Sequence, residues 1–231
     1  IGKGAEEGIL IKDAESLEMA KEIDVVVLDK TGTITEGKPQ VTSITWSKNS
    51  LPIHRDILYS IEHQSEHPLA DAITNELKDA STLLENVSVE QVSGKGIEGT
   101  HENIVYYIGN EQYINSKDIT IPADLQDKIN EELNAAHTIS IIADDNEAYG
   151  VVGITDKLKS TSKEAISTLK DMGIEVAIYT GDNEKVAAAL SGELGVTNFK
   201  GGVLPEEKAN LVKILQQQGK KVAMVGDGIN D

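Results

Sequence analysis

Cysteine is absent from this 231-residue chain, which excludes disulfides, zinc knuckles and thiolate metal sites and suits a reducing compartment. Long apolar runs are absent too. None approaches the ~18 residues that a membrane-crossing helix needs, and the first residues lack the basic and apolar regions of a signal peptide. The piece therefore reads as soluble. Basic charge is scarce, with 21 Lys and Arg against 39 Asp and Glu and a formal net charge of -18. No basic stripe exists to displace counterions from phosphates, so nucleic acid is excluded as a partner. A polyanionic ligand would need a metal ion and locally placed lysines. There is no low-complexity tract and no internal repeat.

The length permits one or two domains, and the change of hydrophobic period along the chain favours two. A leading strand or loop (Gly8 to Lys12) and a short helix around Glu15 to Lys21 precede the apolar, β-branched run Val25-Val26-Val27-Leu28. After Pro39 the pattern predicts strands over Val41 to Trp46, Val87 to Val92, Ile104 to Gly109, Thr138 to Asp144 and Glu147 to Ile154. Helices are predicted over Ile53 to His63, Pro68 to Asp79 and Pro122 to Ala136, the last with proline near its first turn. The turn signal Asp144-Asp145-Asn146-Glu147 implies antiparallel pairing of its flanking strands. From Lys159 strands and helices alternate: helix Ser160 to Met172, strand Glu175 to Tyr179, helices Glu184 to Leu194 and Pro205 to Gln218, strand Lys221 to Val225. That alternation indicates βαβ crossovers and a parallel sheet with ligands at the carboxyl ends of its strands. The expectation is an α/β protein whose parallel-sheet domain comprises residues 1–39 and 154–231. An α+β domain with an antiparallel sheet flanked by helices is inserted as residues 40–153.

The first strand delivers Asp29 into the turn Lys30-Thr31-Gly32-Thr33, where a carboxylate is placed to attack phosphorus. Read alone, Asp29 is equally a strand-end turn residue. Phosphoryl transfer needs positioning and charge neutralisation, so helpers are expected elsewhere. Thr180-Gly181-Asp182 follows Val176 to Tyr179, Lys208 opens a helix, and Gly226-Asp227-Gly228-Ile229-Asn230-Asp231 follows Val222 to Val225. Together they make Asp29, Lys30, Thr180, Gly181, Asp182 and Lys208 the catalytic candidates. Asp227 and Asp231 are spaced to put oxygens around Mg²⁺. Phosphohydrolases of this design commonly place a second aspartate two residues after the nucleophile as acid and base. Here that position is Thr31, so an aspartyl-phosphate would form from a good leaving group such as ADP and then persist.

In the inserted segment, Glu62-His63-Gln64-Ser65-Glu66-His67-Pro68 leads into a helix, and Gly94-Lys95-Gly96-Ile97-Glu98-Gly99 lies beyond a strand. A lone glycine pattern is equally a tight turn, and His67 equally a helix-opening residue. Jointly they suggest a nucleotide pocket in which the backbone at Gly94 and Gly96 approaches the ligand, with Gly109-Asn110 closing it. His54, His63, His101 and His137 follow no metal-ligand spacing and are expected at the surface. Trp46 is expected to pack rather than stack on a base.

Asp29-Lys30-Thr31-Gly32-Thr33-Ile34-Thr35, Thr180-Gly181-Asp182-Asn183 and Gly226-Asp227-Gly228-Ile229-Asn230-Asp231 together resemble the phosphorylation domain of P-type ATPases, built on the haloacid-dehalogenase fold. Ser65-Glu66-His67-Pro68-Leu69 and Gly94-Lys95-Gly96-Ile97 look like the nucleotide-domain signatures of the heavy-metal branch. The resemblance implies that Asp29 is phosphorylated and that Glu62, His67, Gly94, Gly96, Ile97, Gly109 and Asn110 bind ATP. It implies Mg²⁺ held by Asp29, Asp227, Asp231 and the Thr31 carbonyl, and Asp156 at an interdomain hinge. It further implies a catalytic fragment of a metal exporter, with copper as cargo, whose actuator domain and transmembrane helices are its partners and which works at the cytoplasmic face of the cell membrane. The alternatives are a free-standing phosphohydrolase of the same fold, an exporter of zinc, cadmium or cobalt, and a catalytically idle nucleotide-binding regulator.

Overall fold

A computed structural model describes residues 2–6, 8–92 and 95–226. Two sheets organise the chain. The first is parallel and four-stranded, β1 (Val25–Leu28), β8 (Glu175–Tyr179), β9 (Asn198–Lys200) and β10 (Val222–Val225), in the order β10-β1-β8-β9. Parallel strands need crossovers, and helices α7 (Ser162–Asp171), α8 (Glu184–Glu193) and α9 (Pro205–Gln217) precede β8, β9 and β10. β1 lies between two neighbours and two helical layers, so all four of its residues are buried. Its alternation divides them. Val26 and Leu28 pack with Ile166, Ile178 and Leu190 on one face; Val25 and Val27 pack with Ala177 and Leu215 on the other. Leu28 pairs with Ile178 and Val225, so β1 and β10 end level and β8 runs one residue further, to Tyr179; the residues that follow all three reach one edge.

The second sheet is antiparallel. It contains β2 (Gln40–Trp46), β3 (Ser88–Val92), β4 (Gly96–His101), β5 (Ile104–Gly109), β6 (Thr138–Asp144) and β7 (Ala148–Thr155), in the order β2-β7-β6-β5-β4-β3. Helices α3 (Pro52–Glu62) and α4 (Pro68–Leu77) cover one face with Ile57, Leu58, Ile61, Ile73 and Leu77. Helices α5 (Glu111–Ser116) and α6 (Ala123–Asn134) cover the other with Tyr113, Ile114, Leu125, Ile129 and Leu133. Burying each such side chain is worth about 1.5–3 kcal/mol. Val186, on α8, joins this last cluster, so α6 and α8 pack the two sheet systems together.

Ahead of β1 lie α1 (Gly2–Glu6), α2 (Ala14–Met19) and a 3₁₀ turn, with Gly8 to Lys12 irregular. The glycine pattern at 94–99, for which a tight turn was one alternative, is strand from Gly96 onward: β4 begins there and pairs with both β3 and β5. The glycines mask the strand pattern, yet packing demands them. A Cβ at Gly96 would lie 2.1 Å from the Ile108 carbonyl oxygen, and one at Gly99 would lie 2.3 Å from Ile61 Cδ1. Two further elements, α5 and the three-residue β9, are too short for periodicity to register. The surface position expected of His54 is corrected: it is buried and stacked on Tyr149 at 3.7 Å between ring centroids, with Nδ1 accepting from the Leu51 amide. His137 is only half-buried and pairs with Glu132, whereas His63 is exposed as expected. Trp46 packs against the α3–α4 side of the sheet.

Candidate active site

Asp29 stands one residue beyond β1, its amide tied to the Val225 carbonyl (2.9 Å) and its carboxylate buried. Lys208, from the first turn of α9, reaches it with Nζ 2.6 Å from Asp29 Oδ1. Lys208 is itself 5% exposed. A lysine there is no solvated surface charge but the cationic partner of the candidate nucleophile. Thr180 follows β8 in register and is also buried; its hydroxyl donates to Asp182 Oδ2 (2.7 Å). Lys30 pairs with Asp182 Oδ2 at 2.7 Å. Burial alone would raise the Asp182 carboxyl, but the Lys30 charge and hydrogen bonds from Lys30, Thr138 and Thr180 hold it below its ordinary value. Gly181 has open space where a side chain would stand, its nearest neighbour being the Val203 carbonyl oxygen at 3.7 Å.

The turn after Asp29 is wide, closed by the Thr35 amide donating to the Lys30 carbonyl (3.1 Å), and its interior is not helical. Thr31 is extended at ψ 129 and Gly32 is left-handed at φ 71, a region that glycine enters without steric cost. Asp156 locks the far side of the turn: its Oδ2 accepts from Thr35 Oγ1 (2.5 Å) and the Gly37 amide (3.2 Å), its Oδ1 from the Lys38 amide (3.0 Å). Lys159 Nζ donates to the Gly32 carbonyl. The two segments crossing between the sheets are thus tied to each other directly behind the candidate nucleophile.

On the antiparallel-sheet side, Glu62 ends α3 buried, and loss of solvent raises its pKa to about 7. His67 caps α4, its Nδ1 accepting from the Leu69 amide (3.2 Å), so that the neutral ring carries its proton on Nε2. The surrounding protein lowers the His67 pKa, a shift opposed by the charge of Asp182. Asn110 caps α5 through Oδ1 to the Tyr113 amide (2.8 Å). Gly109 lacks a side chain because a Cβ would sit 2.5 Å from the Lys95 carbonyl oxygen, and Ile97 points into the α3–α4 core. Gly96, Gly109 and Ile97 therefore each have a packing reason that periodicity did not reveal. A cavity of about 590 Å³ lies nearby, lined by Gly37, Lys38, Pro68, Asp71 and Glu76, none of them a candidate site residue.

Gly94, Asp227 and Asp231 lie outside the described residues. Among the described residues no cluster of three or more His, Asp or Glu side chains is arranged to hold a metal. The donors that remain, the Asp29 carboxylate and the Thr31 carbonyl, are hard oxygens and fit Mg²⁺ in kind. Thr138 was invisible to sequence reasoning. It opens β6, and its hydroxyl donates to Asp182 Oδ1 (2.6 Å), with Lys30 Nζ 3.4 Å away. No motif surrounds it to betray that position.

A family model of haloacid dehalogenase-like hydrolases matches residues 23–231. All 231 residues align at 43% identity with a copper-exporting P-type ATPase of Staphylococcus aureus, covering 28% of that protein. They align at 41% with the copper-exporting P-type ATPase of Staphylococcus epidermidis, covering 29% of it. The chain thus spans under a third of the length of these curated relatives. Among solved structures, it is similar to the catalytic domain of the CPx-ATPase CopB-B, described for its conformational changes upon nucleotide binding. The TM-score is 0.79 and the identity 27%, over 99% of this chain and 81% of that one. A zinc-transporting PIB-type ATPase in its E2.Pi state matches with TM-score 0.61 and 36% identity, over 99% of this chain and 37% of that one. The chain belongs to the haloacid dehalogenase-like hydrolases, and along its whole length it is similar to the catalytic part of P-type ATPases.

Proposed function

We propose that this chain is the ATP-binding and autophosphorylating part of a metal-exporting P-type ATPase, with Asp29 as the acceptor of the γ-phosphate. The observation that carries the proposal is the buried Asp29–Lys208 pair at 2.6 Å, set at the carboxyl edge of the parallel sheet where Thr180 also lies. An Asp29 oxygen bonds to the γ-phosphorus as the bond to the bridging oxygen breaks, and ADP leaves with that electron pair. Lys208 neutralises charge at the nucleophile and the incoming phosphoryl oxygens, Thr180 donates a hydrogen bond, and the Asp182–Lys30 pair fixes the Thr180 rotamer. Mg²⁺, held by Asp29 and the Thr31 carbonyl with Asp227 and Asp231, would neutralise phosphate charge. Glu62, His67, Asn110 and the backbone at Gly94, Gly96 and Gly109 would receive the nucleotide.

Copper is the favoured cargo, because the relatives at 41–43% identity are described as copper exporters. Zinc is the second reading, favoured by the 36% identity with a zinc transporter. The partners would be the actuator domain and transmembrane helices of a longer transporter, placing this part at the cytoplasmic face of the membrane. No helix among the described residues is long and apolar enough to cross a membrane.

The reading that separates a phosphorylated machine from a phosphohydrolase rests on Thr31, which supplies no base for water. The test is the lifetime of the acyl phosphate formed from ATP and Mg²⁺. Wild type is expected to hold it, while Thr31→Asp shortens its lifetime at least about tenfold, as a positioned general base does. Rapid release of phosphate from small phosphoesters by wild type would favour the hydrolase instead.

A further inference from the structure

Thr138 belongs to the antiparallel sheet, yet its hydroxyl is bonded to the charged pair beside Asp29. Thr138 Oγ1 donates to Asp182 Oδ1 at 2.6 Å and lies 3.4 Å from Lys30 Nζ, while Lys30 and Asp182 pair at 2.7 Å. The chain separations are 44 and 108 residues, so this is a contact made by the fold and not by a local turn. The residue is firmly braced from behind. Ala136 is left-handed at φ 61, and the next residue, His137, places Nδ1 2.7 Å from Glu132 Oε2. Glu132 is also bonded to Lys128 (2.8 Å) and Ser43 Oγ (2.6 Å), which fastens the start of β6 to α6 and β2. Beside the polar bridge, Val186 of α8 packs into the α5–α6 cluster, and Lys185 Nζ approaches Asn130 Oδ1 at 3.4 Å.

We infer that Thr138 is a positioning residue that latches the nucleotide-side sheet onto Asp182 and thereby sets how that sheet faces Asp29. The Asp182 carboxylate accepts from Lys30, Thr180 and Thr138 at once. The first two donors belong to the parallel-sheet side. Thr138 alone among the three is carried by the other sheet, so it converts a local ion pair into an interdomain bond. Hydrogen bonds to a charged group are the stronger kind, which is why one hydroxyl matters beside an apolar contact. The inference deepens the phosphorylation reading, but its test involves no phosphoryl transfer, so either can fail without the other.

The absence of cysteine allows two introduced cysteines, at the exposed positions Glu85 and Gln216, to carry a fluorophore pair reporting the distance between the two sheet systems. Without added nucleotide, Thr138→Val is expected to lower the ratio of docked to undocked molecules about tenfold. Thr138→Ser, which keeps the donor, is expected to stay within about twofold of wild type. Asp182→Ala removes the acceptor from the opposite side and serves should the valine variant not fold. It is expected to shift the ratio in the same direction, and the double variant to shift it no further than either single one. An unchanged ratio in Thr138→Val, a serine variant as undocked as the valine one, or additive effects in the double variant would each overturn the inference.

Discussion

Two buried glutamates on the antiparallel-sheet side are driven in opposite directions by what surrounds them. Burial raises Glu62 from 4.5 to about 7. Burial also acts to raise Glu132, but hydrogen bonds from Lys128, Ser43 and His137 outweigh it and hold that carboxyl at about 2. The stability consequences have opposite signs. A raised carboxyl favours folding fully below 4.5, and that contribution is lost as pH rises through 7, by an upper bound of about 3 kcal/mol. Glu62→Gln should therefore flatten the fall in Tm between pH 4.5 and 7; an unchanged slope would contradict the burial argument. A lowered carboxyl stabilises above 4.5 and ceases to as pH falls through about 2, so Glu132→Gln should cost up to about 3 kcal/mol at neutral pH. Equal denaturation midpoints at pH 7 would contradict that. Gly181 poses a different test, because a methyl there meets only the Val203 carbonyl oxygen at 3.7 Å. Gly181→Ala should leave Tm nearly unchanged yet reduce phosphorylation about tenfold by crowding the phosphoryl group. At this scale the sequence proposes Asp29, Thr180 and Lys208 together because a carboxylate after an apolar strand would need such partners, and the structure brings Lys208 to Asp29. Thr138 is not among them, since only tertiary packing brings it to Asp182.

The elements form where side-chain period and turn chemistry agree, and they hide where glycine is used for close packing. The apolar runs of β5 and β8 mark their bounds in the sequence, whereas β4 carries no such mark because Gly96 and Gly99 interrupt it. Those glycines are there for contact with Ile108 and Ile61, neither of which is adjacent in sequence. Gly96→Ala should destabilise the antiparallel sheet by about 3 kcal/mol or more, measured by denaturant unfolding, whether or not nucleotide is present. A variant that folds with wild-type stability but loses ATP affinity would instead favour a ligand-facing reason for that glycine. The crossing segments make a second test. Asp156 accepts from Thr35, Gly37 and Lys38, so Asp156→Ala should raise amide hydrogen exchange at Gly37 and Lys38 by about tenfold or more. Unchanged protection would show that the turn holds without the carboxylate.

Across the whole molecule, the alternation of strand and helix at the chain's two ends identified the parallel sheet, because β1 comes early and its neighbours β8 and β10 come late. What sequence could not reveal is how the two sheets face each other. That relation rests on Val186 in the α5–α6 cluster, on the Thr138 bridge and on the approach of Lys185 to Asn130. It is the feature through which a nucleotide held on one sheet would meet the carboxylate at the edge of the other. With a net charge of -18, the molecule repels polyphosphate overall. Lys30 and Lys208, both buried beside acidic partners, are the local cations that the proposed chemistry would use. The central claim is that Asp29 is the phosphate acceptor. Its most direct measurement is acid-stable incorporation of label from the γ-phosphate of ATP in the presence of Mg²⁺, comparing wild type with Asp29→Asn. The account predicts a hydroxylamine-sensitive label in wild type and none in the asparagine variant, whereas a label that persists in Asp29→Asn, or maps to another residue in wild type, would contradict it.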